Sequence, residues 1–416
     1  MNKKLVIVGG GTAGWITALY FQKNYTNYEI TLIESTELGI LGAGESSTPN
    51  LGGMLTIMGI DIDDFITNTG ATIKTANHFI RWSLNEDAYY HKFEKHADIE
   101  QTDFVRYGFH FDARRCGAYF KKIALDRGIT HIDAIISHFS KKENGDVSHI
   151  HLKDNNSIEC DYMIDCSGFA RVGVGKLYNS EWKSYSEFLP ANSAIAYFLP
   201  QEKNLKNSDA TQTRSIAMKA GWMWQVPLKH RMGCGYVFNN NYISIDEAKK
   251  EVEDYLGREI EVVKNFKFEA GSYTDTWINN CISLGLASGF LEPLEGTSLM
   301  TLIWSVLKLH NLGGIENESN RDRYNEFVRD VNYQSMLFVR HHYNCGRVDT
   351  KFWRDIQSTK NPKELQTMID IGFANIKTTS EMMDIINPKS ELPIFDIENY
   401  TTVLYGQRQK NKKTII

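Results

Sequence analysis

The hydrophobic pattern at the N-terminus alternates between strand-like and helix-like segments. A short apolar run, residues 5–8, leads into closely spaced glycines, and the segment that follows, 15–24, has the spacing of a helix. A second strand, residues 29–34, ends on an acid, and residues 162–165 form another apolar run before a turn of small residues. Strands joined through a helix predict an α/β fold built around a parallel βαβ unit.

The middle and the end of the chain follow other patterns. Residues 147–165 indicate a hairpin that turns at Asp154–Asn156 and leads into a strand returning to the parallel sheet. Alternating apolar positions over 193–199 and 221–228 favour a second sheet. From residue 299 onward the apolar spacing is helical. We therefore expect two interleaved modules followed by a helical C-terminal part.

The glycines after the first strand are spaced as G-x-G-x-x-G, at Gly9, Gly11 and Gly14. The first glycine makes the tight turn, the second lets the backbone approach a pyrophosphate, and the third lets the helix pack on the strand. The helix N-terminus offers N–H groups to the phosphates, and Glu34 ends the second strand, where an acid can bind a ribose. The sequence predicts dinucleotide binding; the alternative is a glycine-rich turn without a ligand.

Two later segments favour FAD over NAD as that nucleotide. The strand at 162–165 and its small-residue turn are typical of the strand that returns beside the flavin in two-domain flavoproteins. Residues 282–298 begin apolar, pass through two glycines, and finish on two carboxylates and a Thr-Ser pair. This order has the character of a flavin-site loop that opens a helix.

Residues 221–228 read GWMWQVPL and place Trp222 and Trp224 on alternate positions. Alternate positions of a strand point to one face of a sheet, so both indoles crowd the same side. An aromatic wall in a core is the plain interpretation of such a pair. The glycine motif at the other end of the chain favours a functional one.

Together these residues make the chain resemble the flavin-dependent halogenases of the tryptophan-halogenase type. The resemblance rests on four segments in the family's order, GGGTAG (9–14), GAGESSTPNL (42–51), G-W-x-W-x-[IV]-P (221–227) and GFLEPLEGTS (289–298). Weaker matches are YGFHFDA (107–113), GCGYVFNNNYISIDEA (233–248) and DTKFW (349–353). The fold that this resemblance implies is the two-domain, FAD-dependent monooxygenase-like fold, with a Rossmann-type FAD module.

The resemblance also implies the modules and the flavin contacts. The FAD-binding module is expected from residues 1–80, 105–175 and 265–310, a substrate-side sheet from 180–264, and a helical C-terminal region with a shortened lid from 311–416. The implied FAD contacts are Gly9, Gly11, Thr12, Ala13, Gly14, Glu34, Ala43, Leu286 and Leu299. No metal ligand is implied.

Lys74 and Glu295 are the residues that the resemblance implies for the chemistry. Lys74 lies in GATIKTANHFIRW, and a lysine away from water can donate hydrogen bonds to hypohalous acid or, as the neutral amine, be halogenated. The family often has a second lysine where His78 stands here. Glu295 would stabilise the polarised halogen donor and the cationic ring intermediate, and it could accept the ring proton. The plain alternatives are a surface lysine on a helix and an acid beside a helix N-terminus.

Thr297 and Ser298 correspond to the positions whose backbone N–H groups hold halide in the family. A helix N-terminus binds an anion without a charged side chain. The family usually has Ser-Thr-Gly after the glutamate, whereas residues 296–298 of this chain are Gly-Thr-Ser. The exchange puts the geometry of the halide site in question.

The mechanism that the resemblance implies uses FADH₂ from a separate flavin reductase, together with O₂ and a halide ion. These give hypohalous acid, which reaches Lys74 and halogenates an electron-rich ring, while Trp222 and Trp224 keep the substrate away from the flavin. Two alternatives remain, because a fold does not fix a function. They are a flavin-dependent monooxygenase or other FAD oxidoreductase, and a non-catalytic flavin-binding protein.

Composition and charge exclude other classes of partner. A formal net charge of −5 gives no basic field for nucleic acid, and no apolar run of membrane-spanning length occurs. The first apolar segment is interrupted by glycines, so we do not expect a signal peptide. The six cysteines form no CxxC pair and are expected to be reduced thiols of a cytoplasmic protein. The oligomeric state stays open, a homo-oligomer included.

The C-terminal segment bears on the substrate. Tryptophan-specific members of the family resemble one another in a long, aromatic-rich C-terminal region, whereas 63 residues follow Trp353 here. They include Phe373, Phe395, Tyr400 and Tyr405 but no tryptophan. We therefore expect a more open pocket that accepts indoles, phenols or other activated aromatics.

Overall fold

The structure is a computed structural model that describes residues 2–39, 42, 45–83, 88–93, 107–201 and 210–408. Its strands are β1 (Lys3–Val8), β2 (Tyr28–Glu34), β3 (Glu45–Ser46), β4 (Thr72–Lys74), β5 (Ala76–Ile80), β6 (Ala88–Lys92), β7 (Gly108–Phe111), β8 (Thr130–Asp133), β9 (Ile136–Lys141), β10 (Val147–Leu152), β11 (Ser157–Glu159), β12 (Tyr162–Asp165), β13 (Trp182–Ser184), β14 (Ser193–Pro200), β15 (Gln212–Met218), β16 (Gly221–Pro227), β17 (Arg231–Phe238), β18 (Val262–Lys267), β19 (Gly271–Tyr273), β20 (Trp277–Ile278), β21 (Cys281–Ser283) and β22 (Gly289–Phe290).

Its helices are α1 (Thr12–Asn24), α2 (Asn50–Ile57), α3 (Ile62–Thr69), α4 (Ala113–Asp126), α5 (Ile245–Leu256), α6 (Thr297–Asn311), α7 (Arg321–Tyr343), α8 (Lys351–Ser358), α9 (Lys363–Ile371), α10 (Thr379–Ile386) and α11 (Ile397–Arg408). The helical C-terminal part predicted from the apolar spacing is confirmed.

A largely parallel sheet contains the N-terminal βαβ unit. Its strand order is β20-β21-β12-β1-β2-β8, and each neighbouring pair except β20 and β21 is parallel. Leu5 and Ile7 of β1 pack with α1 on one face, while Val6 and Val8 pack against the β9–β11 layer on the other. Apolar residues on both faces explain the unbroken apolar run, as expected for a buried parallel strand.

Two sequence predictions about this sheet are confirmed. The returning strand is β12, which pairs in parallel with β1 and sets Leu5 opposite Tyr162. The predicted hairpin is formed by β10 and β11, which are antiparallel and bring His149 opposite Glu159. Asn155, at the turn between them, has a φ of 70°, a left-handed conformation that asparagine tolerates better than most residues.

A seven-stranded sheet forms the second large layer. Its order is β18-β14-β17-β16-β15-β5-β6, antiparallel except for the parallel pair β15 and β5. Trp222 and Trp224 of β16 face the C-terminal helices, while Met223 faces the side covered by α5. The predicted alternation along this strand is confirmed.

The chain crosses between sheets just after Lys74. Strand β4, which ends at Lys74, pairs with β7 in a small sheet of order β3-β7-β4. Strand β5 begins two residues later at Ala76 and belongs to the seven-stranded sheet. Lys74 therefore lies at a junction between layers.

Membrane-spanning helices and metal-binding clusters are both absent from the described ranges. Within them, no helix combines the length and the apolarity that crossing a membrane requires. The same ranges bring together no group of three or more histidine, cysteine, aspartate and glutamate side chains suited to hold a metal ion. All six cysteines are buried and free.

Gly235 is predicted to be indispensable for the packing of Trp224. The two residues are cross-strand partners, and a Cβ at Gly235 would overlap Trp224 Cη2 and the Ile195 carbonyl oxygen. We expect Gly235→Ala to lower the free energy of unfolding by about 1–3 kcal/mol, because the added methyl group overpacks the site. Urea denaturation measures this change.

Gly53 of α2 is the matched control, because a Cβ there meets no described atom within 4 Å. Gly53→Ala is expected to raise stability by about 0.5–1 kcal/mol, since alanine is the better helix former. Equal effects of the two substitutions would contradict the packing argument.

Candidate active site

Lys74 is fully buried at the end of β4, so the alternative of a surface lysine on a helix is wrong. Its Nζ donates a hydrogen bond to Ser46 Oγ at 2.7 Å and lies 5.1 Å from the centre of the Phe93 ring. Burial lowers the pKa of Lys74 to about 8, against a smaller opposing effect of the Glu295 charge. Both the ammonium and the amine forms are accessible near neutral pH.

Ser46 connects Lys74 to the rest of the site. Its Oγ is also 3.0 Å from Thr213 Oγ1, which is 2.9 Å from His110 Nε2. The Ser46 carbonyl oxygen lies against Gly296, where a Cβ would be only 2.9 Å away. The segments 42–51 and 289–298, which the sequence singles out separately, therefore meet beside Lys74.

Glu295 is held by side chains from three different elements. Its carboxylate accepts hydrogen bonds from Asn77 Nδ2 of β5, and it lies 2.8 Å from His91 Nδ1 of β6 and 3.2 Å from His342 Nε2 of α7. The Glu295 backbone has a φ of 61°, a left-handed conformation that is rare for glutamate. A non-glycine residue in this region is held there by its surroundings, which is common at functional sites.

The surroundings keep this carboxylate ionised. Burial by itself raises the pKa of Glu295, but His91 and His342 outweigh it and hold the pKa well below its ordinary value. Burial lowers the pKa of His91, and the charge and hydrogen bond of Glu295 outweigh that effect, so its pKa is raised. Glu295 is therefore a buried anion beside the buried cation Lys74.

A second buried carboxyl group ties down the first signature tryptophan. Trp222 Nε1 donates to Glu292 Oε2 at 2.8 Å, and the Tyr343 hydroxyl donates to the same oxygen at 2.8 Å. Burial raises the pKa of Glu292 to about 7, although both donors oppose this. The ring of Trp222 lies 6.4 Å from that of Trp224 and 6.4 Å from that of Trp82. The two signature tryptophans do form an aromatic wall, and any further role of theirs stays a prediction.

Of the three motif glycines, only one has room beside it for an added side chain or a ligand. A Cβ at Gly9 would overlap the Cys166 carbonyl, and a Cβ at Gly14 would overlap the Gly9 carbonyl. At Gly11, by contrast, no described atom lies within 4 Å of a Cβ. Gly11 is also the N-cap of α1, and no side chain caps that helix. The loop thus offers an open, uncapped helix N-terminus, which fits the pyrophosphate of FAD.

Three other predicted flavin contacts, Thr12, Ala13 and Glu34, belong to the βαβ unit that contains this loop. Glu34 Oε1 is 2.8 Å from His131 Nε2 and accepts from Lys121 Nζ at 3.0 Å, while its other oxygen faces Gly10. Thr12 Oγ1 donates to the Glu45 carboxylate. Ala13 lies against Gly285, Leu286 and Leu299 are half-buried, and Ala43 falls outside the described residues.

The predicted halide residues open α6. Its N-cap is Gly296, with a φ of 71° and no side-chain cap. The Thr297 hydroxyl donates to the Glu292 and Leu294 carbonyls, at 3.4 and 3.3 Å, in the turn that precedes the helix. The Thr297 backbone N–H donates to the Leu294 carbonyl as well. Of the two predicted halide donors, the Ser298 N–H is therefore the one that remains a candidate for binding an anion.

Sequence reasoning missed the residues that hold Lys74 and Glu295. Asn77 and His91 lie opposite each other on β5 and β6. The alternation of inward-facing and outward-facing residues along these two strands is the one sequence signal that could have placed them on the same face. His78 is adjacent to Asn77 in the strand, and its ring stacks on Tyr90 at 4.3 Å. Neighbouring positions face opposite sides of a strand, so His78 does not point toward Glu295.

The family follows from comparison with known proteins. A family model described as tryptophan halogenase matches residues 4–107 and 99–414. The chain belongs to the tryptophan halogenase family. It is 27% identical to the tryptophan 6-halogenase SttH of Streptomyces toxytricini, over 88% of this chain and 83% of that one. It is also 27% identical to the tryptophan 7-halogenase RebH of Lentzea aerocolonigenes, over 92% of this chain and 84% of that one.

Solved structures of the family share the fold. The tryptophan halogenase of Shewanella frigidimarina superposes with a TM-score of 0.87 at 26% identity, covering 99% of this chain and 90% of that one. The crystal structure of SttH superposes with a TM-score of 0.89 at 25% identity, covering 98% of this chain and 90% of that one. This family member is therefore an enzyme, a flavin-dependent halogenase of an aromatic substrate. A monooxygenase on the same fold is not favoured.

The buried cation predicts a pH-dependent cost to stability. The unfolded chain binds a proton at Lys74 up to pH 10.5 and the folded chain only up to about pH 8, so stability rises with pH between these values. We expect Lys74→Met to be more stable than wild type at pH 7, by up to about 3 kcal/mol, with the difference shrinking above pH 8. Urea denaturation at pH 7 and 9.5 measures it.

Lys122, which is exposed on α4, provides the control substitution. Lys122→Met is expected to change stability little and equally at both pH values, because an exposed ammonium group keeps its hydration. A gap between Lys74→Met and wild type that does not depend on pH would show that burial of the charge is not the cause.

Proposed function

We propose that this halogenase uses FADH₂, O₂ and a halide ion to make hypohalous acid, and that Lys74 delivers the halogen to an electron-rich aromatic ring. The observation that carries the proposal is the fully buried Lys74 amine beside the ionised Glu295 carboxylate. A reactive amine and an anion that can stabilise a cationic ring are the two groups that such a transfer needs.

The glycine loop and its neighbours would hold the flavin. Gly11 and the N-terminus of α1 would bind the pyrophosphate, Glu34 the ribose, and Thr12, Ala13, Leu286 and Leu299 the rest of the cofactor, with Ala43 expected alongside. When bound, reduced FAD and O₂ supply the oxidising power that converts halide to hypohalous acid. We propose that a separate flavin reductase delivers FADH₂ in the cytoplasm.

The N-terminus of α6 would bind the halide ion. The Ser298 N–H and the positive end of the helix dipole favour an anion there. The Thr297 N–H, the other donor that the family resemblance implies, would have to leave the Leu294 carbonyl to bind the same ion. Glycine at 296 in place of a hydroxyl residue does not weaken this argument, because the backbone supplies the donors. The halide would thus lie two residues from Glu295, at the loop that Ser46 joins to Lys74.

Lys74 would act in one of its two protonation states. As an ammonium ion it donates hydrogen bonds to hypohalous acid and polarises the bond between oxygen and halogen. As a neutral amine it reacts with hypohalous acid to give a haloamine and water. A pKa of about 8 keeps both forms populated near neutral pH.

Glu295 would stabilise the positive charge on the ring and accept its proton. Three hydrogen-bonding partners fix the carboxylate in a site from which water is largely excluded, where a charge acts most strongly. Trp222 and Trp224 would form the wall between this site and the flavin.

We propose a substrate class of several activated aromatics, with bromide and iodide used at least as readily as chloride. Phe395 stacks on Phe338 at 4.0 Å and Phe373 on Tyr400 at 5.8 Å, so these C-terminal rings are used in packing. They are not free to sandwich a bound amino acid. The named relatives act on tryptophan, and free tryptophan alone is therefore the competing outcome.

The flavin assignment predicts a selective effect at Gly11. Gly11→Val should weaken FAD binding at least about 10-fold, because the side chain fills the space that the pyrophosphate would occupy. Loss of a favourable N-cap residue should cost the apo protein only about 1 kcal/mol. Fluorescence titration measures the affinity of wild type and of Gly11→Val for FAD and for NAD. The Gly53→Ala variant is titrated in the same way as the control. Unchanged FAD affinity, or binding of NAD alone, would refute the assignment.

The reaction is tested with a panel of indole, phenol, aniline and free tryptophan. Each is incubated with FAD, NADH, a flavin reductase and chloride, bromide or iodide, and products are identified by mass spectrometry. We expect several members to be halogenated. Turnover of free tryptophan alone, at one ring position and with chloride preferred, would contradict the proposed substrate class.

Lys74→Met should separate the two halves of the reaction in the same panel. Hypohalous acid, trapped with a dimedone reagent, should form as in wild type, while the aromatic product falls at least about 100-fold. Wild-type yields from Lys74→Met would rule out the lysine as the halogen carrier.

A further inference from the structure

The C-terminal helix α11 reaches the buried Glu295 carboxylate through the side chain of Asn399. Asn399 Oδ1 lies 2.8 Å from His91 Nε2, and His91 Nδ1 lies 2.8 Å from Glu295 Oε1. Asn399 and His91 are 308 positions apart in the sequence. A helix at the far end of the chain is thereby connected to the active-site carboxylate through one imidazole ring.

The neighbouring Asp396 fixes the orientation of the Asn399 amide. Asp396 Oδ1 accepts hydrogen bonds from the Asn399 backbone N–H, at 2.9 Å, and from Asn399 Nδ2. A carboxylate accepts from an amide nitrogen and not from an amide oxygen, so the amide atom that faces His91 is the oxygen. An amide oxygen only accepts hydrogen bonds, and His91 Nε2 must therefore carry a hydrogen.

Both ring nitrogens of His91 face oxygen atoms that accept hydrogen bonds. Only the imidazolium form, which has two N–H groups, satisfies Asn399 and the ionised Glu295 at the same time. Burial lowers the pKa of His91, but the charge of Glu295 and the hydrogen bonds to Glu295 and Asn399 raise it above its ordinary value. Asn399 is thus one of the groups that keep a positive charge beside Glu295.

The helix that carries Asn399 is held in place by contacts of its own. Gln407 Nε2 donates to the His342 carbonyl oxygen of α7 at 2.7 Å. Gly406 lies so close to β6 that a Cβ there would overlap the ring of Tyr89. The position of Asn399 therefore does not depend on its bond to the imidazole, and the helix can support that bond.

We propose that Asn399 is a positioning residue for halogenation, which holds the His91 imidazolium ring against Glu295 by accepting from its Nε2. This proposal rests on the proposed function and adds a residue that acts on Glu295 through His91. An acceptor behind a histidine sets both the orientation and the protonation of the ring. Without it, the Nε2 hydrogen would be a buried donor without a partner, so the ring would give up that proton.

The charged and titratable groups that face this chain of contacts are Lys74 of β4, Tyr89 of β6, His342 of α7 and Asp396 ahead of α11. In the part of the chain that the structure describes, none of these four groups accepts a hydrogen bond from His91 Nε2. Substitution of Asn399 therefore removes one acceptor and leaves these charges in place.

The protonation of His91 tests the proposal without flavin, halide or substrate. Histidine labelled with ¹³C at Cε1 is followed by NMR from about pH 5 to about pH 9, and the His91 signal is identified by its loss in His91→Gln. In Asn399→Leu, which removes the acceptor, we expect the pKa of His91 to fall below that of wild type. In Asn399→Asp, which keeps an oxygen and adds negative charge, we expect this pKa to be as high as in wild type or higher.

The rate of halogenation is the second readout, measured with the aromatic panel. Asn399→Leu should form the aromatic product about 10-fold more slowly at neutral pH, the effect of one lost hydrogen bond. Asn399→Asp should stay within about 3-fold of wild type, because the acceptor is kept. Formation of hypohalous acid should be unchanged in both variants.

Thr401→Val is the matched control, because Thr401 lies on the same helix and its hydroxyl donates to the Ile397 carbonyl oxygen of that helix. It should leave the pKa of His91 and the rate of halogenation at their wild-type values. A change of helix packing alone would affect this variant as well.

Four results would overturn the proposal. They are a wild-type His91 pKa in Asn399→Leu, a fall of that pKa in Asn399→Asp, a fall in Thr401→Val equal to that in Asn399→Leu, and a wild-type rate of halogenation in Asn399→Leu. The Asn399→Asp titration stands even if Asn399→Leu does not fold. Absence of any halogenated product from wild type would instead contradict the proposed function, whereas the titration would still decide whether Asn399 controls His91.

Discussion

Two opposite charges, Lys74 and Glu295, are taken out of water within one site, and the arrangement around them follows from that burial. Burial disfavours both charged forms, so each needs partners that do not come from solvent. Ser46 accepts from the amine, while Asn77, His91 and His342 surround the carboxylate. The left-handed backbone at Glu295 is the local strain that this placement requires.

Topology brings these partners together from distant parts of the chain. The crossing from β4 to β5 sets Lys74 and Asn77 on either side of a junction between sheets, and α7 brings His342 against the second sheet. Asn77 and Glu295 are 218 positions apart, yet their side chains touch. Each sheet and the helical part contribute one piece, so the site exists only when all three have packed.

Much of the fold is visible in the sequence, because its strands and helices have strong local periodicity. The βαβ unit, the returning strand β12 and the hairpin at Asn155 all follow from apolar runs and turn residues. The partners of Glu295 do not. Asn77, His91 and His342 are polar residues whose neighbours in sequence give no sign of a shared carboxylate, and no local pattern reveals which sheet a five-residue strand such as β5 joins.

The close fit of Trp224 over Gly235 means that the tryptophan signature is not a self-contained unit. Its second ring occupies the volume that any other residue at 235 would need, on a strand that the signature does not include. Grafting G-W-x-W-x-[IV]-P onto a different flavoprotein sheet would therefore fail unless a glycine were introduced opposite it. In natural sequences the two positions should change together, so a chain that has the signature but a larger residue at the facing position would have to hold its tryptophan in another rotamer.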